Sequence, residues 1–326
     1  MECTTLVSEV RSTRIGFGCA GLMREPSTGK RQRLLHEAFD GGIRHFDVAR
    51  MYGLGAAEAE LGRFARGRRD GMVIATKFGI QAASAPRHFA RVQSPARWLL
   101  SRQPALRRFV KRRSDLLHRP HRYDVATARA SLQASLRELK TDYVDVLFLH
   151  DPSPTDRVDV PELCGYLEEA RQAGYLRAWG IAGEPTPCVA IKHSLPTRAI
   201  VQLREDIFSR TTELSDGLEP LITFGVLSTA LARILTHLER NPERRRQWSE
   251  SIGIDCSSPD TLASLLLRDA LRANQSGVVL YSTTRPERLR GLDAIVCSAQ
   301  IDVDPVLTEF RRHVIAELTP LSSPDD

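Results

Sequence analysis

Three observations predict an α/β fold, a parallel eight-stranded (β/α)8 TIM barrel in a single domain. Eight short apolar or β-branched runs recur along 326 residues, and helix-like stretches alternate with them. Several of the runs lack the polar alternation of a half-exposed strand, as parallel strands covered on both faces do. The length also fits, because such barrels routinely exceed about 250 residues as one unit. A doubly wound sheet is the alternative, but no boundary divides the chain into a nucleotide half and a substrate half.

The first strand is read in "TRIGFGCAG", where Gly16, Gly18 and Gly21 spell G-x-G-x-x-G. In a dinucleotide-binding turn of that spacing the glycines open directly into a helix, whose first amides hold the pyrophosphate. Here residues 22–29 intervene, and a helical pattern starts only at about residue 30. The glycines therefore mark a strand running into a loop. The second run, "IRHFDVA" (43–49), leads to the helical "GAAEAELGRFARG". The third, "MVIATKFG" (72–79), leads to a basic insertion of about 81–123 and then to "DVATARASLQASLRELK". Asp124 is placed to cap that helix, since Val125, Ala128, Leu132, Leu136 and Leu139 form a helical stripe just after it. "YVDVLFLHD" (143–151) is followed by "PELCGYLEEARQAG", and "LRAWGIAG" (176–183), "AIVQLRED" (199–206), "PLITFGVLS" (220–228) and "GVVLYSTT" (277–284) complete the eight. The barrel is assigned to 1–318 and a flexible tail to 319–326.

Composition narrows the setting. A hydrophobic fraction of 42% and a charged fraction of 26% fit a globular protein with a large core. No apolar run approaches the roughly 18 residues that span a bilayer, and the first ten residues do not read as a signal peptide. The expected location is the cytoplasm, with no membrane contact. The six cysteines have no metal-ligand spacing, so they are read as reduced and mostly buried thiols, with no metal site. The net charge of +6 is local. Eleven Lys or Arg residues face one acid between Arg87 and Arg122, and the remainder of the chain holds 35 basic and 39 acidic residues.

In a barrel of this kind, reactive groups stand at the C-terminal ends of the strands. Asp47 ends the second run, with Tyr52 five residues on; Lys77 ends the third; His150 ends the fourth. Singly, each has an ordinary structural reading: a loop cap, a rim aromatic, a snorkelling lysine, a core histidine. As a set, in "GIRHFDVARMYGLGAAEAELGR", "VIATKFG" and "YVDVLFLHDP", they resemble the aldo-keto reductase superfamily, and weaker likeness extends over nearly the whole chain.

The resemblance implies an NADP(H)-dependent oxidoreductase that reduces an aldehyde or ketone to an alcohol, or the reverse. Tyr52 would give the proton as hydride arrives from the nicotinamide. Lys77 would favour the phenolate, Asp47 would pair with Lys77, and His150 would orient the substrate oxygen. Gln202 matches the residue that binds the nicotinamide carboxamide, and Phe224 falls where a stacked tyrosine is usual. Ser282, Thr283, Arg285 and Arg288 fall in the adenosine-phosphate segment, where a guanidinium suits a 2'-phosphate and favours NADP, with NAD as the alternative. Gly18 and Cys19 let the backbone pass close to the ribose.

The departures matter as much. Ala182 and Gly183 stand where Ser-Asn commonly holds the carboxamide, Ser282 replaces a lysine, and Gly291-Leu292 replace an adenine-contacting Glu-Asn. The carboxamide change leaves open a protein with altered chemistry, such as redox-neutral elimination or isomerisation, or an NADP-bound regulatory subunit. The basic insertion, with Phe89, Trp98, Phe109 and Tyr123 as stacking aromatics, raises nucleic-acid binding as a less favoured reading. Its plainer reading is a solvated lid beside the active-site mouth, and a third is that it favours an acidic substrate or an acidic carrier. Arg50, Met51 and Trp179 are taken as candidates for shaping the pocket.

Overall fold

A computed structural model describes residues 1–7, 10–80, 121–153, 155–156, 158–196, 198–210, 221–299 and 304–319. Most of the basic insertion (81–120) and the end of the C-terminal tail (320–326) lie outside the described residues, so Phe89, Trp98 and Phe109 do too.

Eight parallel strands close into a barrel. The chain begins with an antiparallel hairpin of β1 (Cys3–Val7) and β2 (Val10–Thr13). The barrel strands are β3 (Ile15–Gly18), β4 (His45–Asp47), β5 (Val73–Phe78), β6 (Val144–His150), β7 (Leu176–Gly183), β8 (Ile200–Arg204), β9 (Leu221–Phe224) and β10 (Val278–Tyr281). They pair in chain order, and β10 closes on β3. Each lies within one of the eight runs read from the sequence.

Helices α1 (Thr28–Asp40), α2 (Ala56–Ala65), α3 (Val125–Leu139), α4 (Val160–Gln172), α5 (Pro185–Lys192) and α6 (Ser228–Arg240) cover the outside. After them come α7 (Pro242–Ile252), α8 (Pro259–Ala273), α9 (Leu292–Ala299) and α10 (Pro305–Leu318). Asp124 caps α3 as its position predicts, accepting from the Thr127 amide at 2.7 Å. Asp159, Ser258 and Asp304 do the same for α4, α8 and α10. The hairpin and the cluster that α7 and α10 build around Trp248, Phe310 and Val314 are additions to the eight-unit pattern. The six cysteines are free; Cys19, Cys188 and Cys256 are buried, Cys164 is half-buried, and Cys3 and Cys297 are exposed, so burial is less general than expected.

Two cores follow from the two-residue period of the strands. Inside the barrel, Val73, Ala75, Val146, Phe148, Ile200, Ile222 and Val278 form one apolar cluster, to which the hairpin adds Leu6 and Val10. Outward-facing residues, including Ile74, Leu147, Trp179, Val201 and Val279, pack in the larger cluster beneath the helices. Continuing the inward period upward brings Asp47, Lys77, His150, Gln202 and Phe224 to the C-terminal rim, with Arg204 one step beyond Gln202 on the cavity wall. The apolar filling of the barrel thus ends in a polar layer at the C-terminal rim.

Candidate active site

That layer floors a cavity of about 590 Å³ lined by Asp47, Tyr52, Lys77 and His150 together with Gln202 and Phe224. Asp47 and Lys77 rise from neighbouring strands and both side chains are almost fully buried. Lys77 Nζ donates to Asp47 Oδ2 and to the Val48 carbonyl at 3.2 Å. Tyr52 opens a short 3-10 turn, Tyr52–Gly55, which carries its ring back over the strand ends. Lys77 Nζ lies 5.5 Å from the centre of that ring, and the His150 ring meets it edge-on at 5.9 Å. The four residues singled out in the sequence therefore converge.

Burial sets the protonation of the site. It pushes the Tyr52 phenol well above its usual range, and Asp47, Cys19 and Asp151 push it further. Lys77, hydrogen-bonded to Asp47, stands beside the Tyr52 ring, so its charge faces a phenol that burial keeps protonated. Burial, reinforced by Lys77 and His121, holds His150 down to about 3, so its imidazole is neutral near pH 7. Burial raises the Asp47 carboxyl, and the Lys77 charge and hydrogen bonds from Lys77 and Gln202 pull it back. One layer lower, His45 is fully buried and held down to about 3, with Ser12 on its Nδ1 at 3.0 Å.

The expected cofactor residues divide. Gly18, Gln202, Phe224 and Ser282 line the cavity. Gln202 is almost fully buried, donates to Asp47 and leaves its Oε1 without a hydrogen-bond partner. Ser282 donates to the Gly18 carbonyl at 2.8 Å, and a Cβ on Gly18 would collide with the serine hydroxyl. Cys19 is buried, with Sγ turned to the Phe17 carbonyl, and is absent from the cavity wall. Thr283 accepts from the Arg285 amide at 3.0 Å, and Arg285 is exposed. Arg288 lies by a separate small cavity of about 150 Å³, paired with Asp260 at 2.8 Å; Tyr281 borders both cavities.

Of the pocket-shaping candidates, Met51 lines the cavity, whereas Trp179 faces outward into the larger core and Arg50 pairs with the buried Glu58 at 2.7 Å. Glu58 also accepts from Thr76 at 2.7 Å, which ties the start of α2 to β5. Tyr123 requires a correction as a stacking aromatic. It is buried, donates from Oη to the His150 carbonyl at 2.6 Å and packs over Gly79. Gly79 has φ +110°, and any side chain there would strike the Tyr123 ring. Arg122 N donates to the Gly79 carbonyl at 3.0 Å, and Ile80 pairs with His121, so the two ends of the insertion meet beside His150. Sequence reading missed Glu58, the anchoring role of Tyr123, and Asp151, which also lines the cavity.

Among the described residues no helix is long and apolar enough to cross a membrane, and no group of three or more His, Cys, Asp or Glu residues could hold a metal ion.

The family model for the aldo/keto reductase family matches residues 14–214. Among characterised sequences, the chain is 31% identical over 174 residues to D-threo-aldose 1-dehydrogenase from a Pseudomonas species, covering 51% of this chain and 49% of that one. It is 26% identical over 225 residues to 6-dehydroglucose reductase from Agrobacterium fabrum, covering 67% of this chain and 66% of that one. The chain thus spans about half the length of the first relative. Among solved structures, an aldo-keto reductase from Bacillus halodurans in its holo form superposes with a TM-score of 0.66 at 22% identity, covering 97% and 96% of the two chains. An aldo-keto reductase from Klebsiella pneumoniae in complex with NADPH gives 0.64 at 18% identity, covering 98% and 97%.

Proposed function

Because the chain belongs to the aldo/keto reductase family, a family of NAD(P)H-dependent oxidoreductases, we propose that it reduces the carbonyl of a small aldehyde or ketone with NADP(H). The observation that carries this reading is the convergence of Tyr52, His150 and the Lys77–Asp47 pair on one cavity at the strand ends. The residues fit a nicotinamide cofactor. The buried, unpartnered Gln202 Oε1 suits a carboxamide NH2, and the Phe224 ring suits a flat heterocycle. We assign a 2'-phosphate to the exposed Arg285, since Arg288 is already engaged by Asp260.

When bound, such a cofactor supplies the hydride that reduces the carbonyl carbon. The chain supplies the proton and the alignment. Tyr52, held as a neutral phenol, donates its Oη proton to the substrate oxygen as negative charge grows there. The resulting phenolate faces the Lys77 ammonium, which the carboxylate of Asp47 keeps charged and in place. Neutral His150 has one N–H to give the same oxygen, and Tyr123 fixes the backbone that carries it. Because Lys77 is buried, its attraction for charge on Tyr52 is stronger than in bulk solvent. The sugar-related names of two relatives suggest polyhydroxylated carbonyls as the first substrates to try.

Mixing the purified protein with NADPH and a panel of aldehydes, ketones and aldoses tests the reading. Carbonyl-dependent loss of reduced-nicotinamide absorbance is expected. Bound NADPH that no carbonyl oxidises would overturn it and favour the altered chemistry that Ala182 and Gly183 leave open.

A further inference from the structure

The end of β7 carries no polar side chain, although the strands on both sides do. In the ladder His150 is level with Ala182, and Ala182 is level with Gln202, so an apolar gap separates two polar positions. Asp151 reaches toward this gap. It is the first residue beyond β6, its amide donates to the Ala182 carbonyl at 2.6 Å, and it lines the cavity. Its φ of +53° is left-handed, a conformation that Asp reaches more readily than most residues because its short polar side chain can bond locally. Gly183 makes the arrangement feasible, since a Cβ there would lie 2.9 Å from both Asp151 Cα and Asp151 Oδ1. The absent side chain at 183 and the carboxylate at 151 therefore occupy the same space in turn.

Resting on the cofactor reading above, we propose that Asp151 is a cofactor-positioning residue whose carboxylate, together with Gln202 Oε1, accepts the two N–H bonds of the nicotinamide carboxamide amine. The stoichiometry is specific: an amine offers two donors, and these two groups offer acceptors on either side of Ala182. A nicotinamide ring held by its amine is fixed in the plane of the strand ends next to Tyr52 and His150. From just beyond β6, Asp151 thereby supplies an acceptor that the side-chain-poor end of β7 lacks.

Equilibrium binding without substrate tests this. Dissociation constants for NADP+ and for its 3-acetylpyridine analogue, in which a methyl group replaces the amine, are measured by tryptophan fluorescence on wild type, Asp151→Gly and Asp151→Asn. Glycine suits the positive φ and removes the carboxylate; asparagine keeps one acceptor oxygen. Asp151→Gly is expected to weaken NADP+ about tenfold, the size of one hydrogen bond to a charged group, and Asp151→Asn by a smaller factor. Both should leave the analogue within about twofold. Loss of both ligands in parallel, or of neither, would overturn the role of Asp151 while leaving the cofactor reading intact. Failure of the wild type to bind NADP+ would overturn the cofactor reading, and this inference with it.

Discussion

Replacing Asp47 with asparagine removes one charge from a pair sealed inside the barrel and keeps nearly the same shape. Lys77 is 2% exposed, and its remaining acceptors would be the Val48 carbonyl at 3.2 Å and the asparagine oxygen. Breaking a buried pair by removing one partner costs about 3–5 kcal/mol, because the surviving charge is left uncompensated. Since asparagine keeps an acceptor, the low end applies, about 3 kcal/mol, equivalent to a fall in Tm of roughly 4 °C for a chain of this length. Urea unfolding followed by tryptophan fluorescence, on wild type, Asp47→Asn, Lys77→Met and the double variant, reads the coupling. The double variant buries no charge at this place, so it should be more stable than the sum of the single costs by about 2 kcal/mol or more. Additivity within about 0.5 kcal/mol would refute the pairing as an energetic unit. Turnover should fall far more than NADP+ affinity in Asp47→Asn; an acid that bound the cofactor's ribose would show the reverse.

Three further outcomes follow from the same geometry. Tyr52→Phe should lower kcat by about 10²–10⁴ while changing the dissociation constant for NADPH little, because the ring and its packing survive and only the proton donor is lost; rapid turnover in this variant would exclude Tyr52 as the acid. In the reductive direction kcat/KM should show no inflection between about pH 5 and 9, since His150 stays neutral above its pKa of about 3 and Tyr52 stays protonated up to beyond 10; an inflection at pH 6–7 would mean that His150 titrates. Gly79→Ala should destabilise the fold by more than about 1 kcal/mol and raise KM, because φ is +110° there and the added methyl displaces Tyr123 from the His150 carbonyl; wild-type melting and KM would show that the contact positions nothing.

The barrel was legible because its strands carry their signal locally. The centre of "YVDVLFLHD", Val146 to Leu149, is apolar without alternation, since the inward Val146 and Phe148 fill the barrel while the outward Leu147 and Leu149 meet helices. The quartet was legible for a related reason: a lysine or aspartate ending such a run stands where burial requires a partner, and Asp47 and Lys77 are partners. Residues acting through backbone geometry were not. Tyr123 reaches the His150 carbonyl across 27 positions of sequence, and Asp151 depends on the absence of a side chain at Gly183, on another strand. The hairpin was missed because its few residues close the barrel floor with only Leu6 and Val10, too short a pattern to register. Trp179 was placed wrongly for want of register: one residue either way decides whether a side chain faces the cavity or the helices.

The most direct test of the account is the fate of a label. NADPH carrying deuterium at the transferable position of its nicotinamide is turned over with an accepted carbonyl, and the product alcohol is examined by mass spectrometry and NMR. The account predicts one deuterium on the carbinol carbon with wild-type protein, formed far more slowly with Tyr52→Phe. Product without deuterium on that carbon, while labelled cofactor is bound, would contradict it.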